Sequence, residues 1–163
     1  MNYPQIIQSK ILNAELLELK LAEWRKAGKK IVFTNGCFDL LHLGHIDYLS
    51  KAASFGDVFI IGVNSDASVS QLKGKHRPIQ DEDSRLRILA SLLFVTAVIL
   101  FKEETPYNLI NTIQPDVLVK GADYKVEQIA GHDIVLAKGG TVELVQFLNG
   151  YSTSAIERKI KES

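Results

Sequence analysis

A single cysteine, Cys37, excludes an internal disulfide framework and fits a reducing compartment. Charge of one sign is missing as well: nineteen Lys and Arg stand against nineteen Asp and Glu. Without a basic surplus the chain is not built chiefly for nucleic acid or an anionic membrane, although a local anion site stays open to it. No apolar run approaches the ~18 residues a membrane span needs, and no signal pattern marks the first residues, so a cytoplasmic protein is expected. Nor is there a G-x-G-x-x-G after a strand, a G-x-x-x-x-G-K-[ST] or a G-x-S-x-G. Their absence sets aside dinucleotide enzymes, P-loop NTPases and α/β-hydrolases. With four prolines, no repeat and no linker-like stretch, the 163 residues read as one domain, 1–163, long enough to bury a full core.

What the chain does have is concentrated between Thr34 and His45. The apolar run Ile31-Val32-Phe33 leads into Thr34-Asn35-Gly36-Cys37-Phe38-Asp39-Leu40-Leu41-His42-Leu43-Gly44-His45, and residues 46–53 carry apolar side chains at helical spacing. Strand, tight turn and helix therefore put two imidazoles at a helix N-terminus, where free N–H groups and a partial positive charge favour phosphate. Gly36 lets the backbone come close to a ligand, and Gly44 leaves room between the histidines. His42 and His45 are three residues apart, so both can face one target. A metal reading is weak, because no Cys, Asp or Glu stands at ligand spacing beside the pair.

Along the chain, residues 13–27 read as an amphipathic helix with Asn13 as N-cap and Gly28 as its stop, so that 1–28 is expected to supply one helix covering the sheet. Strands are predicted over 31–33, 57–63, 96–101, 116–119 and 141–145, the first two read as buried, with helices between them. The helix over 82–93 ends before the third strand. Thr105 and Pro106 are expected to open the next helix and Pro115 to close it, and a last helix covers 152–161. Residues 126–138 are helical in pattern but interrupted by Gly131. The alternation predicts a Rossmann-like, doubly wound parallel sheet of five strands with helices on both faces. Ligands of such sheets sit at the carboxyl ends of the strands, and the candidate loops all lie there.

Three further groups carry chemistry. Lys73-Gly74-Lys75-His76-Arg77-Pro78 packs cations into a short non-helical loop, suited either to phosphate or to solvent. Gly150-Tyr151-Ser152-Thr153-Ser154 gathers hydroxyls at a helix start, which could hold a terminal phosphate or simply cap the helix. Lys120-Gly121-Ala122-Asp123-Tyr124 follows the fourth predicted strand, with Lys120 in reach of a nucleotide or of the strand end. Cys37 reads as a small packing residue in the turn, without a general base beside it, and Asp39 as a brace for the loop.

Gly36 to His45 resembles the G-x-F-D-x-x-H-x-G-H signature of the cytidylyltransferase-like nucleotidyltransferases, which join an NTP to a phosphorylated acceptor and release pyrophosphate. Within that superfamily the chain is similar to the D-glycero-β-D-manno-heptose 1-phosphate adenylyltransferases. Lys30 to Asp39, Arg77-Pro78-Ile79, Pro115 to Tyr124 and Gly150 to Thr153 carry the likeness, and the Val-Lys-Gly-Ala-Asp-Tyr block discriminates best. The resemblance implies that AMP passes from ATP to the heptose 1-phosphate, with Mg²⁺ brought by ATP. It implies roles for His42, His45 and Lys73 in catalysis, and for Gly36, Cys37, Phe38, Gly44, Lys75, Lys120, Gly121, Asp123 and Tyr124 around the nucleotide. Gly150, Tyr151, Ser152, Thr153 and Ser154 match a second signature, I-S-[ST]-T, in which Tyr151 replaces isoleucine and Glu157 stands where adenylyltransferases have arginine. Arg158, one residue on, is turned ~100° away and is not carried over. Arg85 matches an arginine that reaches the triphosphate, although a surface pair with Asp81 explains it equally. The resemblance further implies a homodimer and a separate sugar kinase in the pathway. Two alternatives stay open: a CTP-dependent enzyme acting on glycerol 3-phosphate or a similar small phosphate, and a non-catalytic nucleotide-binding module.

Overall fold

The computed structural model describes all 163 residues. Its centre is one six-stranded, fully parallel sheet: β1 (Ile11–Leu12), β2 (Ile31–Gly36), β3 (Val58–Asn64), β4 (Ala97–Phe101), β5 (Val117–Gly121) and β6 (Thr141–Val145), in the order β1-β4-β3-β2-β5-β6. Eight α-helices accompany it: α1 (Tyr3–Ser9), α2 (Ala14–Lys26), α3 (Leu43–Ala53), α4 (Asp66–Lys73), α5 (Glu82–Ala90), α6 (Tyr107–Ile113), α7 (His132–Ala137) and α8 (Thr153–Lys161). None of them is long and apolar enough to cross a membrane.

The sheet corrects the expectation of five strands. Ile11 and Leu12 pair with Val98 and Ile99 at the edge beyond β4. Two residues are too few for a periodic signal, so only tertiary pairing defines this strand. For the same reason the segment 1–28 is not one covering helix but α1, β1 and α2 in succession.

Successive residues of the strands point to opposite faces, and the core divides accordingly. Ile31 and Phe33 of β2 with Val58 and Ile60 of β3 pack under α2, α6 and α7, through Leu17, Leu21, Ile110, Ile113 and Val135. Val32, Phe59 and Ile61 face the other way, toward Tyr48 and Leu49 of α3 and Leu86 and Leu89 of α5. Every residue of β3 is buried, which is why the strand reads as a continuous apolar run.

Helix starts follow local chemistry. Asn13, Ser65, Asp81 and Ser152 each accept the backbone N–H three residues ahead. Thr105 does not; Pro106 is the N-cap of α6, with no side-chain cap, which corrects the expected start. Gly131, at φ 82°, separates a 3₁₀ turn (Val126–Gln128) from α7, so residues 126–138 are not one helix.

From β2 the chain winds outward through β3 to β4, then returns to β5 on the other side of β2. The loops after β2 and β5 diverge there and leave a crevice at the carboxyl edge.

Candidate active site

A cleft of about 630 Å³ occupies that crevice. Tyr48 lines it and belongs to a triangle of buried polar atoms: the Thr34 and Tyr48 hydroxyls lie 2.8 Å apart, and both donate to the carbonyl of Val119, at 2.9 and 3.1 Å. Burial pushes the Tyr48 phenol up to about 12, so it stays a neutral donor.

One turn before Tyr48, the start of α3 presents the two imidazoles. His42 is the N-cap and its ring stacks on that of His45, with centroids 3.9 Å apart. Burial, and then the neighbouring His42, pulls His45 down to about 4; burial lowers His42 as well. Both rings are therefore neutral at pH 7, each with one N–H to give. Their Nδ1 atoms are buried without a partner. Phe38 meets His45 edge-on at 5.6 Å and holds a left-handed backbone at φ 49°, a costly conformation for a bulky residue. A Cβ on Gly44 would stand 3.0 Å from the His42 ring and 3.1 Å from Cβ of Tyr151. Glycine is thus what lets the segment before α8 close on α3.

Asp39 ties the β2 loop to the segment after α4. Its carboxylate accepts from Arg77 Nε at 2.7 Å and from the N–H groups of Ile79 and Gln80 at 2.9 Å each. Burial alone would raise this carboxyl, but the Gln80 and Ile79 amides and the Arg77 guanidinium outweigh it and hold it below the usual carboxylate range. Arg77 also donates from Nη1 to Glu157 of α8. The glutamate at the arginine position of the resembling family therefore has a partner in this chain.

Arg85, expected at the nucleotide, is 1% exposed and turned inward. It donates to the carbonyls of Gln80 (3.1 Å) and Cys37 (2.7 Å) and to the carboxylate of Asp66 (2.7 Å). It does not line the cleft, and its ion pair is with Asp66, not Asp81. In this arrangement it is a bracket for the turn at Cys37, set back from the cleft in which a triphosphate would lie.

Of the other expected residues, Gly36, Cys37, Phe38, Lys73, Lys120 and Gly121 line the cleft with His45, as do Tyr124, Thr153 and Ser154. His42, Gly44, Lys75, Asp123, Gly150, Tyr151 and Ser152 lie outside its lining. The Ser152 hydroxyl accepts from Ala155 N at 3.1 Å and so caps α8. Burial raises the Cys37 thiol, which keeps it protonated and suits a packing role. Burial lowers Lys120 to about 8 while Nζ donates to Asn35, a partner that sequence reasoning overlooked. A Cβ on Gly121 would come within 2.2 Å of the Phe147 ring and 2.7 Å of the Asp123 carboxylate, so a larger residue at this strand end would have to displace both side chains. Asn35, Asn64, Glu104 and Thr105 also face the cleft unanticipated. A signal existed for the first two: each asparagine stands at or near the end of a buried apolar strand, where a polar residue has no packing reason to be.

The family described as Cytidylyltransferase-like matches residues 33–159. The chain belongs to that family. It is a nucleotidyltransferase enzyme by this membership. Among curated relatives, the protein named Bifunctional protein HldE of Citrifermentans bemidjiense is 52% identical over 95% of this chain and 32% of its own length. Its namesake in Wolinella succinogenes is 50% identical over 96% of this chain, again 32% of that protein. The chain thus spans about a third of the relatives it matches. Among solved structures, a lipopolysaccharide core biosynthesis protein of Thermoplasma volcanium superposes with a TM-score of 0.60 at 32% identity, covering 77% of this chain and all of that one. A pantoate-beta-alanine ligase from Francisella tularensis, 20% identical, shares the fold with a TM-score of 0.64 over 94% of this chain and 78% of its own.

Proposed function

We propose that the chain transfers AMP from ATP to D-glycero-β-D-manno-heptose 1-phosphate, giving ADP-heptose and pyrophosphate. The observation that carries this reading is the pair of neutral, stacked imidazoles at the start of α3, at the switch point of the sheet. The likeness to the HldE proteins, about half identical over nearly the whole chain, supports the acceptor.

An acceptor phosphate oxygen, anionic near neutral pH, attacks the α-phosphorus of ATP in line, and the bond to pyrophosphate breaks. Such a nucleophile needs no base; alignment and charge stabilisation are what the protein supplies. His45 donates to the α-phosphate, His42 to a neighbouring phosphate, and the first N–H groups of α3 complete the cradle. Lys73 neutralises phosphate charge from the rim, with Lys75 behind it. Thr153 and Ser154 bond the β- and γ-phosphates, while Gly121, Asp123 and Tyr124 receive the base and ribose. Magnesium arrives as part of the MgATP substrate. The sugar phosphate comes from a sugar kinase, a separate catalytic unit. The reading places the enzyme in the cytoplasm, where ATP is available, and as a homodimer.

The test is pyrophosphate release by purified protein with Mg²⁺, crossing ATP and CTP with heptose 1-phosphate and glycerol 3-phosphate. Release with ATP and the heptose phosphate alone is expected. Release with CTP alone would overturn the substrate assignment, and ATP binding without release in any pairing would mark a binding module.

A further inference from the structure

The half of the cleft beneath β3 and β4 has a different chemistry from the half at α3. Asn64, at the end of β3, is 4% exposed and still lines the cleft. Its Nδ2 donates to the Ser68 hydroxyl at 3.0 Å, and that hydroxyl donates to the Glu103 carbonyl at 3.4 Å. Its Oδ1 meets only the weak S–H donor of Cys37, at 4.0 Å. A buried amide placed so keeps one N–H and most of its acceptor capacity for something in the cleft.

Beyond it, the loop after β4 offers two more groups. Its internal bonds are made by Glu103, whose carbonyl serves Ser68 and whose carboxylate accepts the Lys102 N–H at 3.0 Å. Glu104 and Thr105 line the cleft and their side chains take no part in those bonds, and Thr105 does not cap α6. Pro106 and Ile129 add apolar surface beside them. An amide, a carboxylate and a hydroxyl between apolar walls match a neutral, polyhydroxylated body. A carboxylate accepts hydrogen bonds from neighbouring sugar hydroxyls and repels a triphosphate.

We infer that Asn64, Glu104 and Thr105 form the subsite for the sugar of the acceptor, with Glu104 and Asn64 reading its hydroxyls. The inference rests on the nucleotidyl-transfer reading above. Nucleotide phosphates then occupy the α3 and α8 side, and the acceptor phosphate reaches across toward Lys73 at the rim.

The experiment measures steady-state pyrophosphate release by full-length protein, varying heptose 1-phosphate at saturating ATP and ATP at saturating acceptor. Glu104→Gln and Thr105→Val, both on an exposed loop, are compared with Glu103→Gln as a control. Glu104→Gln is expected to lower kcat/KM for the sugar phosphate by about tenfold or more and Thr105→Val by less, as for a site that loses a hydrogen bond to a substrate hydroxyl. The KM for ATP stays within about twofold in both, on the same reasoning, and Glu103→Gln follows wild type. An unchanged kcat/KM for the acceptor in both variants, while wild type transfers normally, overturns the subsite alone. An equal rise of KM for ATP reassigns Glu104 to the nucleotide and also overturns it. Wild-type protein that binds ATP and transfers to no phosphate sinks the transfer reading and the subsite together.

Discussion

The start of α3 and the loop after α4 meet an anion in opposite ways. At α3 the groups are half-buried and neutral: two stacked imidazoles. Lys73 at the end of α4 and Lys75 just after it are exposed to solvent. Between the two regions Arg77 is charged but already bound to Asp39 and Glu157. The difference teaches where this fold can place a positive charge. Beside the imidazoles a bare cation would carry a desolvation cost of several kcal/mol, so neutral dipoles stand there, while Lys120, a cation in the cleft, registers that cost as a value lowered to about 8.

Four experiments sharpen or break this contrast. The largest effect is expected at the bracket between the regions. Asp39→Asn removes one of the two carboxylate partners of Arg77 and weakens two backbone hydrogen bonds, and should cost ~3 kcal/mol in urea unfolding. A loss below about 1 kcal/mol would mean that the regions are positioned independently. Next comes His45→Ala, which should lower turnover by ~10²-fold or more with folding intact, the scale of losing one preoriented donor to a developing oxyanion. Near wild-type turnover would remove the imidazole from the chemistry.

The pH dependence of stability follows. His45 has a folded-state value of about 4, below the ordinary imidazole value of 6.5, so the unfolded chain binds the proton more tightly. Stability is then complete above about pH 6.5 and declines as pH falls toward 4, by roughly 2 kcal/mol between pH 7 and pH 5. Chemical denaturation at a series of pH values should show this slope, flattened in His45→Gln. An unchanged slope in the variant would place the acid sensitivity elsewhere. The smallest effects belong to the rim: Lys73→Ala should lower kcat/KM for ATP by about tenfold and Lys75→Ala by about twofold or less, with both losses shrinking in high salt. Equal losses would erase the distinction between a lysine that lines the cleft and one that does not.

The strands β2 to β5 and α3 were legible because parallel strands buried on both faces read as nearly unbroken apolar runs, and because the imidazoles fall at helical spacing just after one of them. Arg85 was not legible. A pair with Asp81 satisfies local spacing, whereas the real acceptors, Cys37 and Asp66, lie 48 and 19 residues away and meet it only in the folded state. Glu157 shows the same limit from the other side. It stood out as a departure from the resembling pattern, but its partner Arg77 is 80 residues earlier. β1 escaped because two residues have no period, and Thr105 because a threonine before proline looks like a cap whether or not its hydroxyl turns elsewhere.

The triangle of Thr34, Tyr48 and Val119 has a consequence for how this site keeps its aim. Three residues belonging to β2, α3 and β5 are joined at one point, and Tyr48 stands a single turn beyond His45. Rolling α3 about its own axis, or sliding it along the sheet, would strand a buried hydroxyl before it turned the imidazoles by any useful angle. The helix therefore behaves as a pointer pinned near its tip, and its direction is inherited from the two strands between which the crevice opens.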